Sequence, residues 1–222
     1  MRRLLGLLAG LFMASAAAAA QPAPVPVAPP VPVADPSNIW VLDLSTGGRV
    51  RILLRPDVAP KHVERIKLLT KEGFYNGTVF HRVIDGFMAQ GGDPTATGGG
   101  GSKYPNLKAE FNELPHVRGA LAAARPDDKD GANSQFYICF APALKLDRQY
   151  TVFGRVIDGM EWVDAIERGE PPANPSKVIR ASMATDNVPP PAAAPAVIAA
   201  PPPVAAPPAM VLPAKRSRAP IK

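Results

Sequence analysis

Proline is distributed so unevenly along this chain of 222 residues that its positions alone restrict where a packed core can form. Seven of the 28 prolines lie in residues 21–37 and eleven lie in residues 188–222, which leaves ten for residues 38–187. Proline fixes φ and lacks a backbone N–H, so we expect the two proline-rich segments to form an extended linker and a disordered tail. Residues 38–187 are long enough to fold as one domain with a sizeable core.

The basic charge of the chain is located mainly outside this central region. The sequence contains 25 Lys and Arg against 19 Asp and Glu, and its pI is near 9.6. Six of the basic residues lie near the two ends: Arg2, Arg3, Lys215, Arg216, Arg218 and Lys222. Residues 38–187 are therefore almost neutral, which argues against a nucleic-acid partner.

The first twenty residues have the layout of an export signal. Arg2 and Arg3 precede a short apolar run from Leu4 to Met13, and small residues lead up to Ala20. We expect cleavage after Ala20 and export to the bacterial periplasm, with secretion as the alternative. The apolar run is short for a membrane span of about 20 residues, so we predict no stable membrane insertion after cleavage. An uncleaved N-terminal anchor is the competing interpretation.

Metal or thiol chemistry is not favoured by the sequence. Cys139 is the only cysteine, and it lies in the apolar run 136–140, where a small buried side chain is expected. The three histidines lack metal-ligand spacing, and the glycine run 98–101 lacks the Lys-Ser/Thr of a phosphate-binding loop, which favours a flexible loop. We therefore predict no metal and no cofactor.

Short strand-like runs alternate with glycine and proline turns between residues 38 and 187. The pattern predicts strands at 39–44, 50–54, 78–82, 87–90, 120–124, 135–140, 151–157 and 178–183. It also predicts helices at 60–71, with Pro60 in the first turn, and from Met160 to Arg168. Many short strands and only two helices indicate a β-barrel or a β-sandwich.

The stretch from Tyr75 to Asp93 concentrates side chains suited to binding a peptide. Arg82, Phe87, Met88 and Gln90 provide a cation, two large apolar groups and an amide within nine residues. Phe87 and Met88 are adjacent and would point to opposite faces of a regular strand.

Three segments together resemble the cyclophilin family. Residues 80–93 (FHRVIDGFMAQGGD) are similar to its signature, residues 133–138 (NSQFYI) to a second motif, and residues 146–156 (LDRQYTVFGRV) to a third. The motifs follow one another in family order, and the resemblance covers about residues 38–183. It implies a mainly β fold, a closed antiparallel eight-stranded barrel capped by two α-helices, and peptidyl-prolyl cis-trans isomerase activity.

The resemblance also implies roles for individual residues. Arg82 matches the catalytic arginine, and Gln90 matches a glutamine that holds the substrate backbone. The expected substrate-binding residues are Phe87, Met88, Ala124, Asn133, Gln135, Tyr137, Leu146 and Tyr150. The alanine run 122–124 also permits a register shifted by one residue.

Three positions depart from the family pattern. Tyr137 replaces a phenylalanine of the proline pocket, and Tyr150 stands where many members have histidine. Lys145 stands where cyclosporin-sensitive members carry tryptophan, which implies weak cyclosporin binding. His81, next to the catalytic position, is expected to be a structural hydrogen-bonding histidine, with a general base as the alternative.

The first hypothesis is an isomerase, expected to be a monomer, that acts on proline-containing unfolded or flexible polypeptides. Arg82 would stabilise the twisted amide beside the prolyl nitrogen without a covalent intermediate. The second hypothesis is a proline-recognising chaperone or binding module with little turnover. A third assigns the function to the proline-rich segments as ligands or spacers.

Overall fold

The computed structural model describes residues 35–190, which form one eight-stranded sheet and two α-helices. The strands are β1 (Ile39–Leu44), β2 (Arg49–Leu54), β3 (Arg82–Ile84), β4 (Met88–Gly91), β5 (Ala120–Ala123), β6 (Phe136–Cys139), β7 (Val152–Asp158) and β8 (Val178–Met183). The helices are α1 (Pro60–Lys71) and α2 (Met160–Asp164), and short 3-10 helices span Pro36–Asn38, Leu144–Leu146 and Ala184–Asp186. No helix within 35–190 is long and apolar enough to cross a membrane.

The predicted leader and most of the proline-rich linker and tail lie outside the described residues. Only residues 35–37 of the linker and 188–190 of the tail fall within them. The leader, its cleavage after Ala20 and the character of the two proline-rich segments therefore stay predictions.

The sheet is antiparallel and open. Its strand order is β3-β4-β6-β5-β7-β2-β1-β8, so β3 and β8 are edge strands that do not pair. The predicted closed barrel is therefore wrong, although the number of strands and the mainly β class are confirmed. Closure needs a continuous ladder between the outermost strands. The chain before β3 is instead irregular, and it makes separate hydrogen bonds such as Phe80 N to Ser176 O at 2.9 Å.

Two predicted elements differ from the structure by more than one residue at an end. The strand predicted at 78–82 contributes only Arg82 to β3, because Val79 forms single bridges with Asp93 and Lys177 instead of a ladder. The helix predicted from Met160 to Arg168 ends at Asp164. The Arg168 guanidinium donates to the Asp164 and Ile166 carbonyls, so side-chain donors replace the backbone N–H groups that would continue the helix.

Alternating residues place apolar clusters on both faces of the sheet, and the two largest of the three clusters bear on the site. The larger cluster surrounds Trp40, Tyr75, Phe80 and Phe136, whose rings meet edge to face, and it also receives the buried side of α1. The smaller cluster lies on the opposite, outer face of β4, β5, β6 and β7: Met88, Ala120, Ala122, Ala124, Tyr137, Cys139 and Val152. One face thus forms the core, and the other face forms the floor of the candidate site.

Cys139 has the predicted buried position in the smaller cluster. Burial raises the pKa of its thiol to about 12, so the reactive thiolate is suppressed at neutral pH.

Candidate active site

Cross-strand pairing aligns a row of side chains on the outer face of the sheet. Arg82 of β3 lies opposite Gln90 of β4, and Gln90 lies opposite Tyr137 of β6. Tyr137 in turn lies opposite Ala122 of β5. Directly paired residues share a face of the sheet, so three segments that are distant in sequence meet at one surface.

This surface is the floor of an open cavity of about 270 Å³, the first cavity. Its lining contains eight of the ten predicted site residues, Arg82 among them, and two further cations, Arg125 and Lys145. The full lining is Arg82, Phe87, Met88, Gln90, Ala124, Arg125, Tyr137, Lys145, Leu146 and Tyr150. Phe87 and Met88 both face the cavity because Phe87 belongs to the turn before β4, where its N–H donates to the Ile84 carbonyl at 3.1 Å. The two adjacent side chains can therefore line the same cavity, which they could not do if both belonged to a regular strand.

The other two predicted residues, Asn133 and Gln135, line a neighbouring cavity of about 430 Å³, the second cavity. Gln90, Ala124 and Arg125 line both cavities. The Asn133 side chain accepts a hydrogen bond from Ser102 N at 2.8 Å and donates to the Tyr104 carbonyl at 2.8 Å. Its polar atoms therefore already have partners within the protein.

A chain of hydrogen bonds positions the Arg82 guanidinium at the edge of the first cavity. Nε of Arg82 donates to Glu170 Oε2 at 2.8 Å, and Nη1 donates to Gln90 Oε1 at 3.5 Å. Gln90 Nε2 donates to Gln135 Oε1 at 2.9 Å. Nη2 of Arg82 makes no hydrogen bond to any residue between 35 and 190 and is available to a ligand.

Glu170 reaches Arg82 because the chain after α2 is joined to β3. Val83 and Gly169 exchange two backbone hydrogen bonds, at 2.8 and 2.9 Å. A Cβ on Gly169, where φ is +146°, would lie 2.5 Å from Pro172 Cα, so only glycine fits this close approach.

The glycine run 98–101, interpreted from sequence as a flexible loop, is tied to the body of the domain and forms a wall of the second cavity. Asp93 accepts hydrogen bonds from the N–H groups of Thr95, Gly98 and Gly100. Burial alone would raise the pKa of Asp93, but these hydrogen bonds outweigh it and lower the pKa to about 2. The carboxylate is therefore ionised throughout the neutral range.

Tyr137 has an unsatisfied hydroxyl at the floor of the first cavity. Its side chain is 5% exposed, and Oη is buried without a hydrogen-bond partner in the described part of the chain. Burial raises the pKa of the phenol far above its usual range. The ring stacks on His116 and meets Tyr150 edge to face, each at 6.1 Å between centroids. Tyr137 is thus a neutral apolar wall with one unpaired polar atom.

His81 lines neither cavity, although it directly precedes Arg82. It is 7% exposed, and burial lowers its pKa, so the ring is neutral at pH 7. Both ring nitrogens are buried without a hydrogen-bond partner in the described residues, so the expected hydrogen-bonding role is not seen. The buried position away from both cavities offers no contact for acid-base chemistry.

Three residues near the first cavity were not among the predicted site residues. Arg125 directly follows Ala124, a predicted site residue, and this adjacency in sequence could have indicated that Arg125 also lines the cavity. Lys145 was noted only as a departure from the family pattern. Glu170 is 88 positions from Arg82, and no sequence feature indicates their contact.

Comparison with protein families gives one match over most of the described region. The family described as "Cyclophilin type peptidyl-prolyl cis-trans isomerase/CLD" matches residues 41–184. A "Probable peptidyl-prolyl cis-trans isomerase" of Brucella suis is 47% identical over 169 residues, covering 69% of this chain and 86% of the relative. "Peptidyl-prolyl cis-trans isomerase B" of Bacillus subtilis is 41% identical over 129 residues, covering 57% and 89%.

Solved cyclophilin structures have the same fold. One from Hirschia baltica has a TM-score of 0.64 and 30% sequence identity, covering 70% of this chain and 77% of that one. One from Cryptosporidium parvum, solved in the presence of the dipeptide Ala-Pro, has a TM-score of 0.60 and 29% identity, covering 65% and 98%.

Proposed function

The chain belongs to the cyclophilin-type peptidyl-prolyl cis-trans isomerases, and from this premise we propose that it acts on flexible X-Pro segments of exported polypeptides, with Arg82 as the catalytic residue. The barrier to X-Pro rotation, about 18–20 kcal/mol, comes from amide resonance. The cis and trans forms differ by only about 0.5–1 kcal/mol, so the enzyme must bind the twisted transition state better than either planar form.

The single observation that carries the mechanism is the arrangement of the Arg82 guanidinium. Two of its nitrogens are engaged by Glu170 and Gln90, while Nη2 is unpaired among the described residues at the cavity edge. Rotation localises a lone pair on the prolyl nitrogen, and a fixed guanidinium donor favours that state over the resonant amide.

The apolar side chains of the first cavity bind the proline ring. The cavity has a volume of about 270 Å³, and its apolar lining includes Phe87, Met88, Tyr137 and Leu146. Holding the ring while the preceding carbonyl rotates needs no nucleophile and no proton transfer. Gln90, which is already bonded to Gln135, is suited to hold the substrate backbone beside the ring.

The test is NMR exchange on an Ala-Pro peptide, comparing the chain from residue 21 with its Arg82→Ala variant. We expect kcat/KM to fall by about 100-fold, since loss of one preorganised donor typically costs that much. Arg155→Ala removes an exposed arginine of β7 outside both cavities and should keep full activity. Circular dichroism checks that each variant is folded.

Two outcomes would contradict this mechanism. Equal activity of Arg82→Ala and the unsubstituted chain would remove Arg82 from the catalytic role. Uncatalysed rates with measurable peptide binding by the unsubstituted chain would favour the second candidate, a proline-recognising binding module, for which the unpaired hydroxyl of Tyr137 is the supporting observation.

For location, we propose export to the periplasm with cleavage after Ala20, on the basis of the charged, apolar and small-residue order in residues 1–20. N-terminal sequencing of protein from a periplasmic extract should begin at Gln21. An intact Met1 on membrane-bound protein would instead support an uncleaved anchor.

For inhibitor binding, we propose that cyclosporin binds weakly because Lys145 stands at the rim where sensitive relatives have tryptophan. Calorimetric titration should show tighter cyclosporin binding by Lys145→Trp. Equal affinity of the two proteins would contradict the proposal.

A further inference from the structure

The first cavity is lined by cations and contains no acidic side chain. Arg82, Arg125 and Lys145 all line it. Glu170 pairs with Arg82, whereas neither Arg125 nor Lys145 forms a salt bridge with any residue from 35 to 190. The charges of Arg125 and Lys145 are therefore uncompensated at the mouth of an apolar site.

Arg125 is fixed on the border between the two cavities. Its Nη1 donates to the Pro126 and Asp127 carbonyls at 2.8 and 3.1 Å, and its Nη2 donates to the Gln149 carbonyl at 2.9 Å. Its guanidinium carbon lies 4.4 Å from the centroid of the Tyr150 ring. Neutral carbonyls and an aromatic ring orient the guanidinium but leave its net charge in place.

Lys145 brings a second cation to the same rim. Nζ lies 6.0 Å from the centroid of Phe87, a wall of the first cavity. Its ammonium group forms no hydrogen bond with the described residues, and only its backbone carbonyl accepts one, from Gln149 Nε2 at 2.7 Å. Arg125 therefore lies over the ring of Tyr150 and Lys145 over the ring of Phe87, and these rings belong to two different walls of the first cavity.

The carboxylates of nearby segments do not line either cavity. Asp128 and Asp130 accept backbone hydrogen bonds from Asp130 N and Ala109 N, and Asp147 accepts from His116. Asp127 lies in the same exposed loop but does not contact the guanidinium of Arg125 with its side chain. A substrate carboxylate at the rim would therefore meet two cations without a competing acid in the lining.

We propose that Arg125 and Lys145 form a cationic rim that selects X-Pro segments with an acidic side chain close to the proline. This inference rests on the proposed function, because it assumes that the first cavity holds the proline ring. An extended chain advances about 3.3 Å per residue, so the side chains of about two residues on either side of the proline can reach the rim. Attraction at this partly solvated edge favours Glu over Gln and disfavours Lys.

The test compares blocked peptides that carry Glu, Gln or Lys either two positions before or one position after an Ala-Pro pair. NMR exchange at low ionic strength gives kcat/KM for each peptide with the chain from residue 21. We expect Glu to exceed Gln by about threefold at one or both positions, the size typical of exposed charge pairs. In about 0.5 M salt this ratio should approach one, because the screening length falls to a few ångströms.

Variants of the two rim residues show whether the preference for Glu over Gln depends on the rim. Lys145→Gln and Arg125→Gln should each lower the Glu-to-Gln ratio. If loss of the Arg125 hydrogen bonds disturbs its loop, the result for Lys145→Gln decides the test. Lys71→Gln and Arg155→Gln remove matched exposed cations outside both cavities and should leave the ratio unchanged. These controls separate the rim from the overall charge of the chain.

The possible failures are distinguishable. Catalysis of all peptides with a Glu-to-Gln ratio of one would overturn the cationic rim and leave the isomerase mechanism intact. A ratio that persists in both rim variants would overturn it as well. Absence of catalysis for every peptide would overturn the proposed function and this inference together.

Discussion

At the scale of single residues, Tyr137 stands where the family resemblance leads us to expect the phenylalanine of a proline pocket. Its ring serves as a wall, stacked on His116, but its hydroxyl is buried without a partner among the described residues. An unsatisfied buried hydroxyl loses its hydration on folding and regains nothing. Tyr75 provides the contrast, since its equally buried hydroxyl donates to the Ser134 carbonyl at 3.2 Å.

We therefore expect Tyr137→Phe to raise the free energy of unfolding by about 1 kcal/mol, because it removes an unpaired polar atom and keeps the ring. Tyr75→Phe should lower the free energy of unfolding by a similar amount, since it leaves the Ser134 carbonyl unpaired. Urea unfolding of both variants measures the two changes. A loss of stability in Tyr137→Phe would mean that the hydroxyl has a favourable partner.

At the scale of elements, the loop 93–101 shows how one buried carboxylate can organise a segment that lacks regular structure. Asp93 receives three backbone N–H groups, and a Cβ on Gly100 would lie 2.0 Å from its Oδ1. Gln135 Nε2 binds the Gly98 and Gly100 carbonyls at 2.9 and 2.8 Å from the other side. Glycine is needed here because the loop passes so close to the carboxylate.

This arrangement predicts a pH dependence of stability. The folded pKa of Asp93, about 2, lies below the value of 3.8 for an unperturbed carboxyl. A lowered folded pKa contributes stability that is present above about pH 4 and is lost as the pH falls toward 2. Asp93→Asn should therefore lower the free energy of unfolding by about 2 kcal/mol at pH 7, and the difference should shrink near pH 2.

Urea unfolding at pH 7, 4 and 2.5 checks this expectation. Asp127→Asn is the matched control, because Asp127 lies in an exposed loop and its carboxylate has no hydrogen bond among the described residues. A stability difference between the Asp93→Asn variant and the unsubstituted chain that is the same at all three pH values would contradict a role for the ionised carboxylate.

At the scale of the whole molecule, the described surface offers little apolar area for self-association. Its exposed large hydrophobic residues lie on four different elements: Leu68, Leu144, Ile157 and Ile179. Single exposed apolar side chains are normal on a monomer, whereas an obligate dimer needs a contiguous apolar patch. We expect a monomer, and light scattering at increasing concentration should give a constant mass near that of one chain. A mass that doubles with concentration would contradict this.

Much of the local structure and most of the candidate site could be predicted from the sequence. The helix at 60–71 and the strand at 178–183 have the predicted bounds. The helix bounds could be predicted because its apolar face, Pro60 at its start and Gly73 after its end are signals that act over a few residues. Arg82, Phe87, Met88 and Gln90 occur in one short stretch, so a single hairpin brings them together. Four more predicted site residues, Ala124, Tyr137, Leu146 and Tyr150, line the same cavity. They come from other segments, and the three family-like motifs together with the alanine run 122–124 pointed to them.

The sequence by itself determined the strand count, the family resemblance and the group of site residues between Arg82 and Gln90, since each depends on periodicity or on a contiguous motif. Only the tertiary structure decided that the sheet stays open, that α2 ends at Asp164, and that Glu170 holds Arg82. It also decided that Arg125 and Lys145, twenty positions apart, share one rim. The end of α2 depends on the Arg168 side chain, which reaches back to the Asp164 and Ile166 carbonyls, a contact that apolar periodicity does not predict. The other features depend on contacts between distant segments, which form only after the packing of the sheet has fixed where each segment lies.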